Sequence, residues 1–254
     1  MSGPRDLIQS VVVIVPARNE ADRIGAVLDA VRRAAPAARI AVIDDGSEDD
    51  TGAVARAHGA QVLRHPFTLG YGAALQTGYH WALRQRFTRL VQLDADGQHD
   101  PASIPSLLAA LDAGAQLVLG SRYLDPATTP RTSFARRMGS RFFAFVVSRW
   151  TGTRITDPTS GYQAMDRRVV ERLALDDFPE DFPDSDVLIA LAREGVRFAE
   201  VPVQMRERLG GVSMHRGGRI AYYAYKMALT LSLLPVRRSS PFRAGRELAR
   251  AGAD

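Results

Sequence analysis

Cysteine is absent from this 254-residue chain, which excludes disulfides, thiolate metal sites and a cysteine nucleophile. Lysine is almost absent as well: nearly all of the 33 basic residues are arginine, and against 28 acidic residues they leave a formal net charge of +5. An arginine excess suits phosphate recognition, because the planar guanidinium grips two oxygens at once, and a biased genome composition produces the same excess. The basic residues are spread along the chain with no nucleic-acid-binding motif, so nucleic acid is not an expected partner. Long apolar runs are missing too. The longest, residues 220–236, is broken by Lys226, Thr230 and Ser232 and lies at the short limit for a span of about 20 residues, so no transmembrane helix is expected. Residues 1–10 lack the charged-then-apolar pattern of a secretion signal, and the expected location is cytoplasmic. There is no internal repeat and no low-complexity tract.

What is present is ordinary for a globular domain with a substantial core: 46% hydrophobic and 24% charged residues. Short apolar runs at residues 11–15, 40–43, 61–63, 89–93 and 116–119 read as strands. Helical patterns at 20–34, 50–58, 71–86 and 102–111 fall between them. Strands and helices alternating at this length predict βαβ units, a mostly parallel sheet and helices on both of its faces. Beyond Tyr123 the pattern changes. Residues 125–133 read as a loop rich in proline and threonine, and 136–150 as a helix in which phenylalanines alternate with Arg136, Arg137, Arg141 and Arg149. That helix either packs on the core or lies at a membrane surface. Residues 184–194 read as helix, 196–203 as strand and 220–234 as a long helix, followed by a tail carrying Arg237, Arg238, Arg243, Arg246 and Arg250.

Ligands of open parallel sheets bind beyond the carboxyl ends of the strands, and polar clusters stand at nearly every such end here. Pro16-Ala17-Arg18-Asn19-Glu20 follows the first strand and Asp44-Asp45-Gly46-Ser47 the second. Asp94-Ala95-Asp96-Gly97-Gln98 and Gly120-Ser121-Arg122 follow the fourth and fifth. Read alone, Asp94 and Asp96 are acidic turn residues, with Asp100 capping a helix that begins at Pro101. Two carboxylates one residue apart also repel each other unless a hard cation is shared between them, and Mg2+ or Mn2+ held so keeps its remaining positions for substrate phosphates. Four polar clusters at matching positions favour the site. Gly70-Tyr71-Gly72 opens a helix where Gly72 admits a backbone or a phosphate at close range.

These runs resemble the motifs of family 2 glycosyltransferases. The resemblance begins at Val13-Ile14-Val15-Pro16-Ala17-Arg18-Asn19-Glu20 and continues through Val42-Ile43-Asp44-Asp45-Gly46-Ser47 and Leu93-Asp94-Ala95-Asp96-Gly97-Gln98-His99. Gly120-Ser121-Arg122-Tyr123, Asp157-Pro158-Thr159-Ser160-Gly161-Tyr162 and Arg208-Leu209-Gly210-Gly211-Val212-Ser213 complete six ordered motifs, from about residue 11 to about residue 215. Within the family the chain is most similar to the dolichol- and polyprenyl-phosphate sugar transferases.

The resemblance implies an α/β fold of the glycosyltransferase A type over residues 1–215, with an amphipathic helix and basic tail at 216–254. It implies an inverting transfer of a sugar from a nucleoside diphosphate donor to a polyprenyl phosphate, and a peripheral place on the inner face of the cell membrane. Nucleotide-sugar contacts are then expected at Pro16, Ala17, Arg18, Glu20, Asp44, Asp45, Gly72 and Asp94. Asp94, Asp96 and Gln98 would bind Mg2+ or Mn2+. Asp96, Arg122 and Arg208 are the expected catalytic residues, and Arg122, Arg131, Ser160, Arg206, Arg208 and Ser213 the expected acceptor contacts. An acceptor phosphate is already anionic and needs no base, whereas a hydroxyl would, with Asp157, Asp184 and Asp186 as candidates. Met214 departs from the family pattern, which has lysine there and so one more phosphate contact. Transfer to a hydroxyl of a glycan or small metabolite, and a catalytically silent sugar-nucleotide binder, are the alternative readings.

Overall fold

The computed structural model describes residues 10–125, 134–175 and 185–205. The chain runs β1 (Val11–Ala17), α1 (Ala21–Ala34), β2 (Arg39–Asp44), α2 (Thr51–Ala57), β3 (Gln61–Arg64), α3 (Tyr71–Arg84) and β4 (Arg89–Gln92). It continues with α4 (Ile104–Asp112), β5 (Leu117–Ser121), α5 (Phe134–Thr151), β6 (Gln163–Asp166), α6 (Arg167–Leu173), α7 (Ser185–Arg193) and β7 (Phe198–Pro202). The seven strands form one sheet in the order β3-β2-β1-β4-β6-β5-β7. All run parallel except β6, which is antiparallel to both β4 and β5.

Alternation along the strands makes two cores. Val12 and Ile14 of β1, with Ala41 and Ile43 of β2, pack under α3, α6 and α7. Val13 and Val15, with Val42, pack on the other face under α1, α2 and α4. Helix α1 shows the matching period: Ile24, Val27, Leu28 and Val31 are its buried side chains, and Arg32 and Arg33 occupy its last turn, where cations complement the helix dipole. A 3-10 turn at Pro101–Ser103 precedes α4, and the Asp100 carboxylate caps it by accepting from the Ala102 N–H at 3.1 Å.

The expected helices and parallel strands are present with shifted ends. β1 runs on through Pro16 and Ala17; its pairing with β4 stops at Ile14, so Pro16, which has no N–H, lies past that ladder. β5 reaches Ser121, and β4 ends at Gln92 rather than Leu93. The strand that sequence reading missed is β6. Four residues, of which only Ala164 and Met165 are buried, are too few to show a period. The boundary expected at residue 215, the helix at 220–234 and the basic tail lie outside the described residues.

Candidate active site

The strand order places a topological switch between β1 and β4, since the chain moves outward from β1 to β3 on one side and returns to β4 on the other. Such a switch opens a crevice at the carboxyl ends of the strands. The turns after β1, β2 and β4 meet there, and hydrogen bonds stitch the first two together. Asn19, with a left-handed φ of 54°, takes Ser47 Oγ on its N–H at 3.1 Å and accepts the Glu48 N–H on Oδ1 at 2.9 Å. Asp49 Oδ2 accepts the Ala21 N–H at 3.0 Å, so a residue after β2 satisfies the first turn of α1. Burial would raise the Asp49 carboxyl, but donors from Thr51 and Ala21 hold it below its ordinary value. Glu20 is half-buried, its carboxylate 2.8 Å from Arg23 Nη1, while Arg18 is exposed and Pro16 and Ala17 are buried. The bond to Glu20 holds the Arg23 guanidinium above its ordinary value, and the charge of Asp96 adds to this.

The carboxylates after β2 turn inward. Asp44 has no exposed surface; its Oδ1 accepts the Ser47 N–H at 2.9 Å, and Oδ2, which no donor among the described residues hydrogen-bonds, has Arg64 Nε at 3.7 Å. Asp45 is 5% exposed and accepts three donors: His65 Nδ1 at 2.7 Å and the Leu69 and Gly70 N–H groups at 2.8 and 2.9 Å. His65 also meets Thr77 Oγ1 at 3.0 Å, which ties the loop before α3 to the helix. Gly46 makes this possible, with φ +66° and the Phe67 backbone 2.7 Å from where a Cβ would stand. Gly72 is buried in the first turn of α3.

The carboxylates after β4 differ. The Asp94 side chain is 35% exposed. Tyr71 Oη donates to its Oδ1 at 3.0 Å, while no donor among the described residues reaches its Oδ2 within bonding distance. His99 Nδ1, 3.7 Å from Oδ2, accepts the Asp94 N–H at 3.0 Å; its ring proton is therefore on Nε2, and that approach is not an ion pair. The His99 ring is buried and stacked on Tyr162, centroids 5.0 Å apart. Asp96 Oδ1 accepts the Gln98 N–H at 3.0 Å, and Asp96, Gly97 and Gln98 are all half-buried. Among the described residues no three His, Cys, Asp or Glu side chains group as a metal site. Two carboxylates and an amide nonetheless suit Mg2+ or Mn2+, which bind through one or two carboxylates plus substrate phosphates. Met205, the last described residue, pairs with His99 in an isolated bridge beside this turn.

Arg122, expected at the acceptor, has one edge of its guanidinium engaged by Asp157. Nε and Nη2 donate to Asp157 Oδ2 and Oδ1 at 2.6 and 2.7 Å, Nη2 reaches Thr159 Oγ1 at 3.0 Å, and the guanidinium lies 5.5 Å from the Tyr123 centroid. Burial works to lower the Arg122 pKa, and Asp157 outweighs it, so the guanidinium is held above its ordinary value. Asp157 has no exposed surface and is committed to Arg122, so it is not a base awaiting a hydroxyl. Its own backbone rests on Glu200 of β7, whose carboxylate accepts the Thr156 and Asp157 N–H groups at 2.8 and 2.9 Å. Burial leads in raising the Glu200 carboxyl above its ordinary value, against the pull of those donors. Ser160, expected at the acceptor, is 6% exposed and donates to the Gly120 carbonyl at 2.6 Å. Arg131, Asp184, Arg206, Arg208, Ser213 and Met214 lie outside the described residues, as does the side chain of Asp186.

Sequence reading missed His65, Tyr71, Gln92, His99 and Glu200 as parts of this site. The signal available was a polar residue inside an otherwise apolar element, as with Gln92 in β4. Helix α5 meets the core on one side and solvent on the other. Val147 is buried in the core, whereas Phe142, Phe145 and Trp150 are 59%, 68% and 44% exposed. No helix among the described residues is long and apolar enough to cross a membrane.

Comparison with known proteins follows the same lines. Residues 12–174 match the family model of glycosyl transferase family 2. The chain is 37% identical over 233 residues to the polyprenol monophosphomannose synthase of Mycolicibacterium smegmatis, covering 87% of this chain and 86% of that protein. It is 33% identical to the undecaprenyl-phosphate mannosyltransferase of Micrococcus luteus, covering 82% and 88%. Among solved structures, glucosyl-3-phosphoglycerate synthase from Mycobacterium tuberculosis, crystallised with Mn2+, UDP and glucosyl-3-phosphoglycerate, superposes with a TM-score of 0.64 at 22% identity, covering 88% of this chain and 79% of that one.

Proposed function

Because the chain belongs to glycosyl transferase family 2 and has the glycosyltransferase A-type fold, we propose that it moves a sugar from a nucleoside diphosphate to a polyprenyl phosphate, with inversion at the anomeric carbon. The observation that carries the acceptor class is the match, over most of both chains, to two transferases named for polyprenyl phosphates. The geometry agrees with it. A phosphate acceptor needs positive charge and no base, and Asp157 is spent on Arg122.

Asp94, Asp96 and Gln98 would hold Mg2+ or Mn2+ at the carboxyl end of β4. The ion, when bound, neutralises charge on the leaving nucleoside diphosphate. The turns after β1 and β2 shape the pocket for base and ribose, with the exposed Arg18 and half-buried Glu20 the contacts open to solvent there. Arg122, its Nε edge taken by Asp157, would meet the acceptor phosphate through Nη1, with Arg131, Arg206 and Arg208 as further cations. The catalytic domain spans 1–215, and residues 216–254 form the extension. The exposed Phe142 and Phe145, beside the exposed Arg141 and Arg149, would rest on an anionic lipid surface.

The test is transfer of label from a panel of nucleotide sugars, with Mn2+ or Mg2+, into the lipid phase of a reaction containing polyprenyl phosphate. Transfer that requires the lipid phosphate and stops with excess chelator is expected. Label appearing only on a soluble hydroxyl acceptor overturns the acceptor, and full activity in chelator overturns the metal.

A further inference from the structure

Gln92 is a polar residue in a strand covered on both faces: it is 2% exposed, between Val91 and Leu93, which have no exposed surface. A buried amide costs stability unless its groups are paired, and here they are. Tyr79 Oη donates to Gln92 Oε1 at 2.6 Å, and Gln92 Nε2 donates to the Gly161 carbonyl at 3.2 Å. Tyr71, at the start of the same helix as Tyr79, donates from Oη to Asp94 Oδ1 at 3.0 Å. Two tyrosines of α3 thus donate to the end of β4, Tyr79 to Gln92 and Tyr71 to Asp94 two residues on. Gly161 closes the other side: a Cβ there would meet Tyr71 Oη at 3.3 Å and Asp94 Oδ2 at 3.5 Å.

We propose that Tyr71 is a positioning residue that fixes the Asp94 carboxylate for the divalent cation. The inference rests on the reading of Asp94 and Asp96 as cation ligands. A carboxylate without such a partner samples several rotamers, and each must be lost when the ion binds. A donor on Oδ1 removes that cost beforehand and leaves Oδ2 without a donor among the described residues. Partners of metal ligands acting in this way typically change metal affinity or activity by about 10- to 100-fold when removed.

The experiment is Mn2+ titration of the full chain, read by the electron paramagnetic resonance signal of free Mn2+, alone and again with UDP or GDP present. Tyr71→Phe, which removes one oxygen, is expected to weaken Mn2+ binding about tenfold or more. Its circular dichroism should stay unchanged. Tyr79→Phe should weaken binding less, because it removes a donor from Gln92 and none from Asp94. In turnover, the Tyr71→Phe defect should appear as a raised KM for Mn2+ that excess metal overcomes. Gly161→Ala, whose methyl presses on the same pair, should lower affinity in the same direction and serves if Tyr71→Phe fails to fold. A folded Tyr71→Phe with wild-type Mn2+ affinity overturns the positioning role. A wild-type chain that binds no Mn2+ overturns the cation reading itself, and this inference with it.

Discussion

Two acidic turns flank β1, and they have opposite fates. Asp44 and Asp45 end β2, Asp94 and Asp96 follow β4, and each pair sits at the carboxyl edge of the same sheet. Asp44 is fully buried with one donor on its carboxylate, and Asp45 is 5% exposed with three, so the first pair is held inside the fold. The Asp94 side chain is 35% exposed and keeps one oxygen without a donor among the described residues. A carboxylate closed off from solvent stabilises a turn, and one that keeps an exposed oxygen in a crevice is free to bind. The motif is nearly the same, and exposure separates the two turns.

That contrast breaks if the two pairs respond alike to substitution. The largest effect is expected at Asp96. Asp96→Asn should lower turnover by about 100-fold or more while the melting temperature holds, as for loss of one main electrostatic stabiliser. Equal turnover in the variant and the parent, measured at saturating donor and metal, would remove the open turn from the chemistry.

Arg122 tests whether an inward-facing pair can serve both stability and function. Arg122→Ala leaves the buried Asp157 without its partner and should cost about 3 kcal/mol in denaturant unfolding. Arg122→Lys keeps the charge without the fork, and it too should be impaired in transfer. An Arg122→Ala protein as stable as the parent would show that the ion pair is idle.

Asp45→Ala should show the reverse profile of Asp96→Asn. Leaving His65 and two N–H groups without their acceptor should cost about 2 kcal/mol, or roughly 4–8 °C in melting temperature. Thermal unfolding checks this, and an unchanged melting point would mean that the inward turn is not structural.

The smallest effect is expected where outward-facing groups are apolar. Replacing Phe142 and Phe145 together by serine should reduce co-sedimentation with anionic liposomes at low salt by about tenfold, given the apolar area each ring would bury. Nucleotide affinity should not change. Unaltered liposome binding would place the membrane contact elsewhere on the chain.

Much of this was legible beforehand. The apolar runs marked β1 to β5 and their helices, because strand and helix periods are local properties of a few residues. The carboxylates at the ends of β2 and β4 were visible for the same reason, as was the helix cap of Asp100. β6 was not legible, since four residues between a loop and a helix carry no period, and its antiparallel place between β4 and β5 depends on strands far away in sequence. Nor were the partners of Arg122 and Asp94 legible: Asp157 is 35 residues from the first, and Tyr71 is 23 from the second.

By itself, then, the order of residues determined an α/β chain with acidic and basic clusters at its strand ends, because apolar continuity dictates where strands run and where they must stop. Only the tertiary structure decided which acidic pair faces the crevice, that the fork of Arg122 closes on Asp157, and that Tyr71 reaches Asp94. Those outcomes depend on burial and on which donors reach which oxygens. Both are set by elements that meet only when the sheet and its two layers of helices have come together.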